Sequence, residues 1–131
     1  MSAALAVAGL NHITRITRLL PETIRFYVDV LGFREITRPG FGFAGAWLYG
    51  YGIQIHLIEN LTAPESPAAI DTRGNHIAFS VPDVEAAAEA LTALGVPFRR
   101  NAIPDRGILQ LFFRDPEGQV VEVGKYGQVD E

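Results

Sequence analysis

Asn11-His12-Ile13 and Asn75-His76-Ile77 carry the same three residue types 64 positions apart, each opening a stretch that reads as a strand. Gly32-Phe33 returns as Gly95-Val96 at an offset of 63, and Gly52-Ile53-Gln54-Ile55-His56-Leu57 returns as Gly118-Gln119-Val120-Val121-Glu122-Val123 at 66. Matches at nearly constant offset and in constant order mean two copies of one unit. Working outward, alternation over residues 8–17 predicts a strand with Leu10, His12, Thr14 and Ile16 on one face. Pro21 suits the first turn of a helix, and the stripe Ile24, Tyr27, Val28 and Leu31 before Gly32 predicts that helix over 21–31. Strands follow over 33–38, 43–49 and 53–59, the last two parted by Gly50-Tyr51-Gly52. The second copy reads the same way: a strand over 75–81, a helix from Asp83 to about Leu94 capped by Gly95, and strands near 97–102, 108–114 and 119–124. Asp115-Pro116-Glu117-Gly118 is the turn of its last hairpin. Residues 60–73, with Pro64, Ser66 and Pro67 and little periodicity, form the linker. The expected fold is α+β: one domain over 1–131 made of two βαβββ modules, 8–59 and 74–126. A pseudo-twofold axis pairs them into a curved mixed sheet around a cleft.

At 131 residues, the chain can bury roughly two thirds of the surface its unfolded form exposes, so it needs no disulfide or structural zinc to fold. It has no cysteine, which excludes cysteine catalysis, iron–sulfur clusters and thiolate zinc sites. A net charge of −4 argues against nucleic acid as a partner, since phosphate binding needs clustered cations. No apolar run approaches the roughly 20 residues of a membrane span. The apolar start, Met1 to Leu10, lacks a basic segment and does not read as a signal peptide. The cytoplasm is the default expectation for its location.

The three histidines are His12, His56 and His76. In the repeat frame His12 matches His76 on the first strand of each unit, and His56 matches Glu122 on the last. A pseudo-twofold axis would bring the two matched pairs about one point, three imidazoles and one carboxylate. Such a set suits a borderline divalent cation: zinc, nickel, iron, cobalt or manganese. Strand alternation agrees, because His12 with Thr14, Gln54 with His56, His76 with Ala78, and Val120 with Glu122 share faces. Ile55, Leu57, Ile77, Phe79, Val121 and Val123 then pack under the helices. A lone strand histidine is more often a hydrogen-bonded structural residue, and the same four side chains could form a polar network. Their repeat-related placement is what points to a metal.

The paired units, the two Asn-His-Ile starts, Phe26-Tyr27 followed by Leu31-Gly32-Phe33, the Asp115-Pro116-Glu117-Gly118 turn and the Val121-Glu122-Val123 end strongly resemble the vicinal oxygen chelate superfamily. That family includes glyoxalase I, methylmalonyl-CoA epimerase, fosfomycin-modifying enzymes and extradiol dioxygenases. The resemblance covers about residues 8–126 and implies that His12, His56, His76 and Glu122 are metal-ligand positions. Likeness to plant and bacterial glyoxalase I-like proteins extends to Gly45-Ala46-Trp47-Leu48 and to the segment around His56. Where this chain has His56, however, glyoxalase I has a glutamate and the epimerase a glutamine. A metal-bound imidazole is a poor proton shuttle, so the departure removes one of two bases.

The resulting expectation is a glyoxalase I-like lyase or isomerase. The metal chelates two adjacent oxygens of the substrate, and Glu122 moves the proton beside the carbonyl. Glutathione or thiol adducts of 2-oxoaldehydes are the substrates implied by resemblance alone. Thr14 resembles a threonine that fosfomycin-modifying enzymes use beside the substrate. Trp47, with Phe41 and Phe43, supplies aromatic surface for a cleft. Arg106, beside Gly107 in a hairpin, could close as a lid, and one or two of the many arginines could hold an anionic substrate. The alternatives are an extradiol-type iron dioxygenase, a fosfomycin-type thiol transferase, and a non-catalytic binding protein like the bleomycin-binding relatives.

Overall fold

The structure, a computed structural model, describes residues 4–66, 69–103 and 107–126. Its chain divides into two compact units, Met1–Leu61 and Thr62–Glu131, parted within the stretch expected as linker. The first unit runs β1 (His12–Thr17), α1 (Leu20–Asp29), β2 (Arg34–Ile36), β3 (Gly45–Gly50) and β4 (Ile53–Glu59). The second runs β5 (Ile77–Ser80), α2 (Val84–Ala93), β6 (Phe98–Ile103), β7 (Ile108–Arg114) and β8 (Val120–Gly124). Both modules are therefore βαβββ, as the internal repeat predicts.

Each unit holds one four-stranded mixed sheet, ordered β1-β4-β3-β2 in the first and β5-β8-β7-β6 in the second. The first and last strands of each unit pair in parallel, and the remaining pairs are antiparallel. A parallel pair requires a long crossover, which the helix and two intervening strands supply.

The first strand is shorter than its alternation suggests. It begins at His12, where the ladder to β4 runs out; Leu10 lies outside it and is exposed. β2 is shorter too, three residues instead of six, because its pairing with β3 spans only Arg34 to Ile36. α1 stops at Asp29, and the chain turns through Gly32 at φ 83°. Asp83 caps α2 by accepting from the Ala86 N–H at 3.1 Å. At the other end of α2, Gly95 at φ 72° lets the Val96 N–H reach the Leu91 carbonyl at 2.9 Å, a six-to-one closure that suits glycine. The Asp115 turn forms as expected: its carboxylate accepts from the N–H groups of Glu117 and Gln119 at 3.0 and 2.9 Å.

The core of the first unit gathers Phe26, Tyr27, Phe33, Ala46, Leu48, Ile55 and Leu57; that of the second gathers Ala88, Leu91, Leu111, Phe113, Val121 and Val123. Ile77 and Phe79 are only half-buried. In β1 the odd positions face inward, so Arg15 is half-buried and its Nε has no hydrogen-bond partner among the described residues. Thr17 and Thr23 are fully buried and satisfy each other through their hydroxyls at 2.9 Å.

Candidate metal centre

Strand register decides which side chains meet. Thr14 pairs with His56 across the parallel ladder, and His56 pairs with Trp47 across the antiparallel one. Paired residues project to the same side of a sheet, so Thr14, His56 and Trp47 form a row, with His12 one pleat away. His56 is sandwiched in that row. Its ring stacks on His12 at 3.9 Å and 12°, and on Trp47 at 4.2 Å and 5°.

Both imidazoles of this pair are oriented by carboxamides. Asn11 Oδ1 lies 2.7 Å from His12 Nδ1, and Gln54 Oε1 lies 2.8 Å from His56 Nε2. Each ring thereby keeps its other nitrogen. Burial first, then the charges of His12 and Arg38, hold the His56 imidazole below its ordinary pKa. His56 is thus biased toward the neutral form that a ligand must adopt.

The same lattice positions in the second unit carry Ala78, Glu122 and Phe112, paired in register across β5, β8 and β7. Glu122 is 5% exposed. Taking a carboxylate out of water is costly unless it is paired or hydrogen-bonded; here a phenol donates to it and an imidazole edge faces it. His76 Nε2 lies 3.2 Å from Oε1, and the Tyr126 hydroxyl donates to Oε2. The Gly74 carbonyl sits 2.8 Å from His76 Nδ1 and can only accept, so that nitrogen carries a hydrogen and Nε2 is turned to the carboxylate. Phe112 packs edge-on against the His76 ring at 5.6 Å and 79°.

These donors fit a divalent cation. An N–O separation of 3.2 Å is close to the edge of a coordination shell whose donors lie about 2.0–2.2 Å from the ion. A backbone carbonyl on the far ring nitrogen is the usual way a ligating histidine is held. Within either unit, the described residues gather the donors in pairs and form no cluster of three or more. The structure thus joins His12 to His56 and His76 to Glu122. Thr14 and Trp47 stand on the His56 face, and Arg106 lies outside the described residues.

Tyr126 was not legible in the sequence, because it follows the end of β8 and shares no strand period with Glu122. The available signal is Gly124, on the Glu122 side of the strand: a Cβ there would meet the Tyr126 hydroxyl at 2.6 Å, so glycine lets the phenol fold back.

A family model described as the Glyoxalase/Bleomycin resistance protein/Dioxygenase superfamily matches residues 9–123. The chain is 39% identical over 127 residues to a protein named Glyoxylase I 4 of Arabidopsis thaliana, spanning 91% of this chain and 71% of that one. It is 29% identical over 146 residues to a lactoylglutathione lyase of Pseudomonas putida, spanning 86% and 82%. The crystal structure of the fosfomycin resistance protein FosX of Listeria monocytogenes shares the fold, with a TM-score of 0.75 at 23% identity over 92% of this chain and 95% of that one. No helix among the described residues is long and apolar enough to cross a membrane.

Proposed function

This chain belongs to the Glyoxalase/Bleomycin resistance protein/Dioxygenase superfamily, and on that premise we propose that it is a metal-dependent lyase or isomerase of the glyoxalase I kind. Its ligands are His12, His56, His76 and Glu122. It moves a proton next to a carbonyl of a small substrate and works as a cytoplasmic homodimer. The observation that carries this reading is the His76–Glu122 pair: a buried carboxylate facing an imidazole nitrogen whose tautomer a backbone carbonyl has set. A divalent cation held by these residues would supply Lewis acidity toward negative charge developing on a substrate oxygen.

The protein's own groups do the rest. Glu122 takes the proton, and Tyr126 fixes one of its two oxygens by hydrogen bonding. Thr14 and Trp47, on the His56 face, contact the substrate, as does Arg106. The name of the Pseudomonas relative, a lactoylglutathione lyase, supports a glutathione-linked substrate. His56 argues for one-base chemistry, since it stands where glyoxalase I carries a second carboxylate. A fosfomycin-type thiol transfer is the second reading, favoured by the exposed Thr14 in register with His56.

Metal analysis of protein made in metal-replete medium tests the core of the proposal. About one ion per site is expected, lost in His76→Ala and in Glu122→Ala. Protein that neither carries nor can be loaded with a transition metal rules the reading out. Screening a glutathione hemithioacetal, catechols and acyl-CoA thioesters then separates lyase from dioxygenase and epimerase, and thiol addition to fosfomycin reports the second reading.

A further inference from the structure

Beyond β2 the chain builds a cationic feature that the donor pairs do not use. Arg38 lays its guanidinium over two phenyl rings, 4.8 Å from the Phe41 centroid and 5.0 Å from that of Phe43. Those rings stack on each other at 5.4 Å and 19°, and Arg38 Nη2 donates to the Phe43 carbonyl at 3.0 Å. Gly45 lies beside the group: a Cβ there would collide first with the Leu57 carbonyl oxygen and would also meet Nη2 at 3.0 Å and Cζ at 3.2 Å. Arg38 is therefore seated by rings, a carbonyl and a bare backbone, none of which neutralises it. Among the described residues no carboxylate pairs with it, and of the five guanidinium N–H donors one is occupied by the Phe43 carbonyl. The aromatic surface continues from Phe41 to Trp47 at 6.1 Å, and Trp47 lies on His56. Phe41 and Phe43 remain 46% and 50% exposed.

We propose that Arg38, with Phe41, Phe43 and Trp47, anchors a carboxylate borne on an apolar or aromatic body. Charge matching selects a carboxylate over a phosphate. One guanidinium forks onto one carboxylate through two parallel N–H···O bonds and balances its single charge, whereas a phosphate dianion keeps a net negative charge against a lone cation. The flanking rings cover the apolar part of the ligand and keep water from the ion pair. That this ligand is the substrate rests on the reading of His56 as part of the active site; the anchor itself needs no metal.

Trp47 is the only tryptophan of the chain, so its emission reports binding directly. Metal-stripped, full-length protein is titrated with 3-phenylpropionate, with its neutral analogue 3-phenylpropanamide, and with inorganic phosphate. The acid is expected to give a saturable change, with binding weakened about tenfold for the amide and for Arg38→Gln, the loss of a charged hydrogen-bonded contact. Arg38→Lys should fall between, and phosphate should give no response. Equal affinities for acid and amide, an unchanged affinity in Arg38→Gln, binding of phosphate as tight as that of the acid, or no saturable change overturns the anchor. The acid and amide are compared on the unmodified chain, so a variant that folds poorly does not decide the outcome. Because the metal has been removed, the result is independent of whether the metal reading survives.

Discussion

In the first unit, the strand position shared by the two repeats holds an imidazole between two parallel rings, His12 and Trp47. In the second, the equivalent position holds a carboxylate between an imidazole and a phenol, His76 and Tyr126. Strand order and ladder direction match in the two sheets. What differs is chemistry at fixed geometry. A stacked, half-buried ring whose pKa is lowered by burial is biased toward the neutral form, with a lone pair to donate. A buried carboxylate with one oxygen accepting from a phenol turns its remaining oxygen to the imidazole edge, the arrangement on which its proposed roles as ligand and base rest. The repeat thus supplies two similar frames, one carrying an imidazole and the other a carboxylate at the matching register position.

The largest expected effect comes from removing the base. Glu122→Gln can still coordinate through its amide oxygen but cannot take a proton, so turnover should fall about 10²–10⁴-fold with metal content largely kept. The repeat-related His56→Gln should cost at least about tenfold less in turnover per bound metal, measured by steady-state kinetics on metal-quantified protein. Equal losses would erase the distinction between the units.

His56→Glu sharpens the comparison from the other side. It restores a carboxylate in both frames, and activity on the methylglyoxal–glutathione hemithioacetal should rise by about 10²-fold from a weak or absent starting level. An unmodified chain that already turns this compound over at about 1–10³ per second would show that a second base is not missing.

Tyr126→Phe removes the hydroxyl and leaves Glu122 Oε2 without its donor. Metal affinity should weaken about tenfold, read by competition with a chromophoric chelator, while the second unit stays folded by circular dichroism. Unchanged affinity would mean that the phenol does not orient the carboxylate.

The smallest effect concerns protons on the first unit. Because the folded His56 pKa is lowered, the unfolded chain takes up the proton more readily. In metal-free protein, His56 therefore costs nothing above its unfolded pKa of about 6.5 and lowers stability progressively as pH falls toward the folded value. Urea midpoints measured between about pH 5 and pH 8 should decline toward acid, and His56→Gln should flatten that decline.

The repeat made the modules and the donor pairs legible, because matched positions on matched strands must occupy matched places in matched sheets. Strand ends were not legible where pairing, not alternation, sets them: Leu10 continues the alternation of β1 but has no ladder to join. Arg38 sits at the end of an apparent strand in sequence, and only the three-dimensional course of the chain shows it turning over Phe41 and Phe43. The carboxamides on His12 and His56 were partly foreshadowed, since Gln54 shares the His56 face, while Tyr126 joins Glu122 from beyond the strand.

The parallel pairing of first and last strands has a kinetic consequence. His12 stands opposite Gln54 and Ala78 opposite Glu122, so each donor pair straddles the two ends of its unit. Closing so long a loop costs entropy before its contacts repay any of it, and such non-local pairing tends to form late. The hairpins β3–β4 and β7–β8 can assemble on their own, but neither brings two donors together. Under the proposed metal reading, a cation meeting a nascent chain would find single donors until the crossover is complete, so capture at either pair would report that its unit has finished folding.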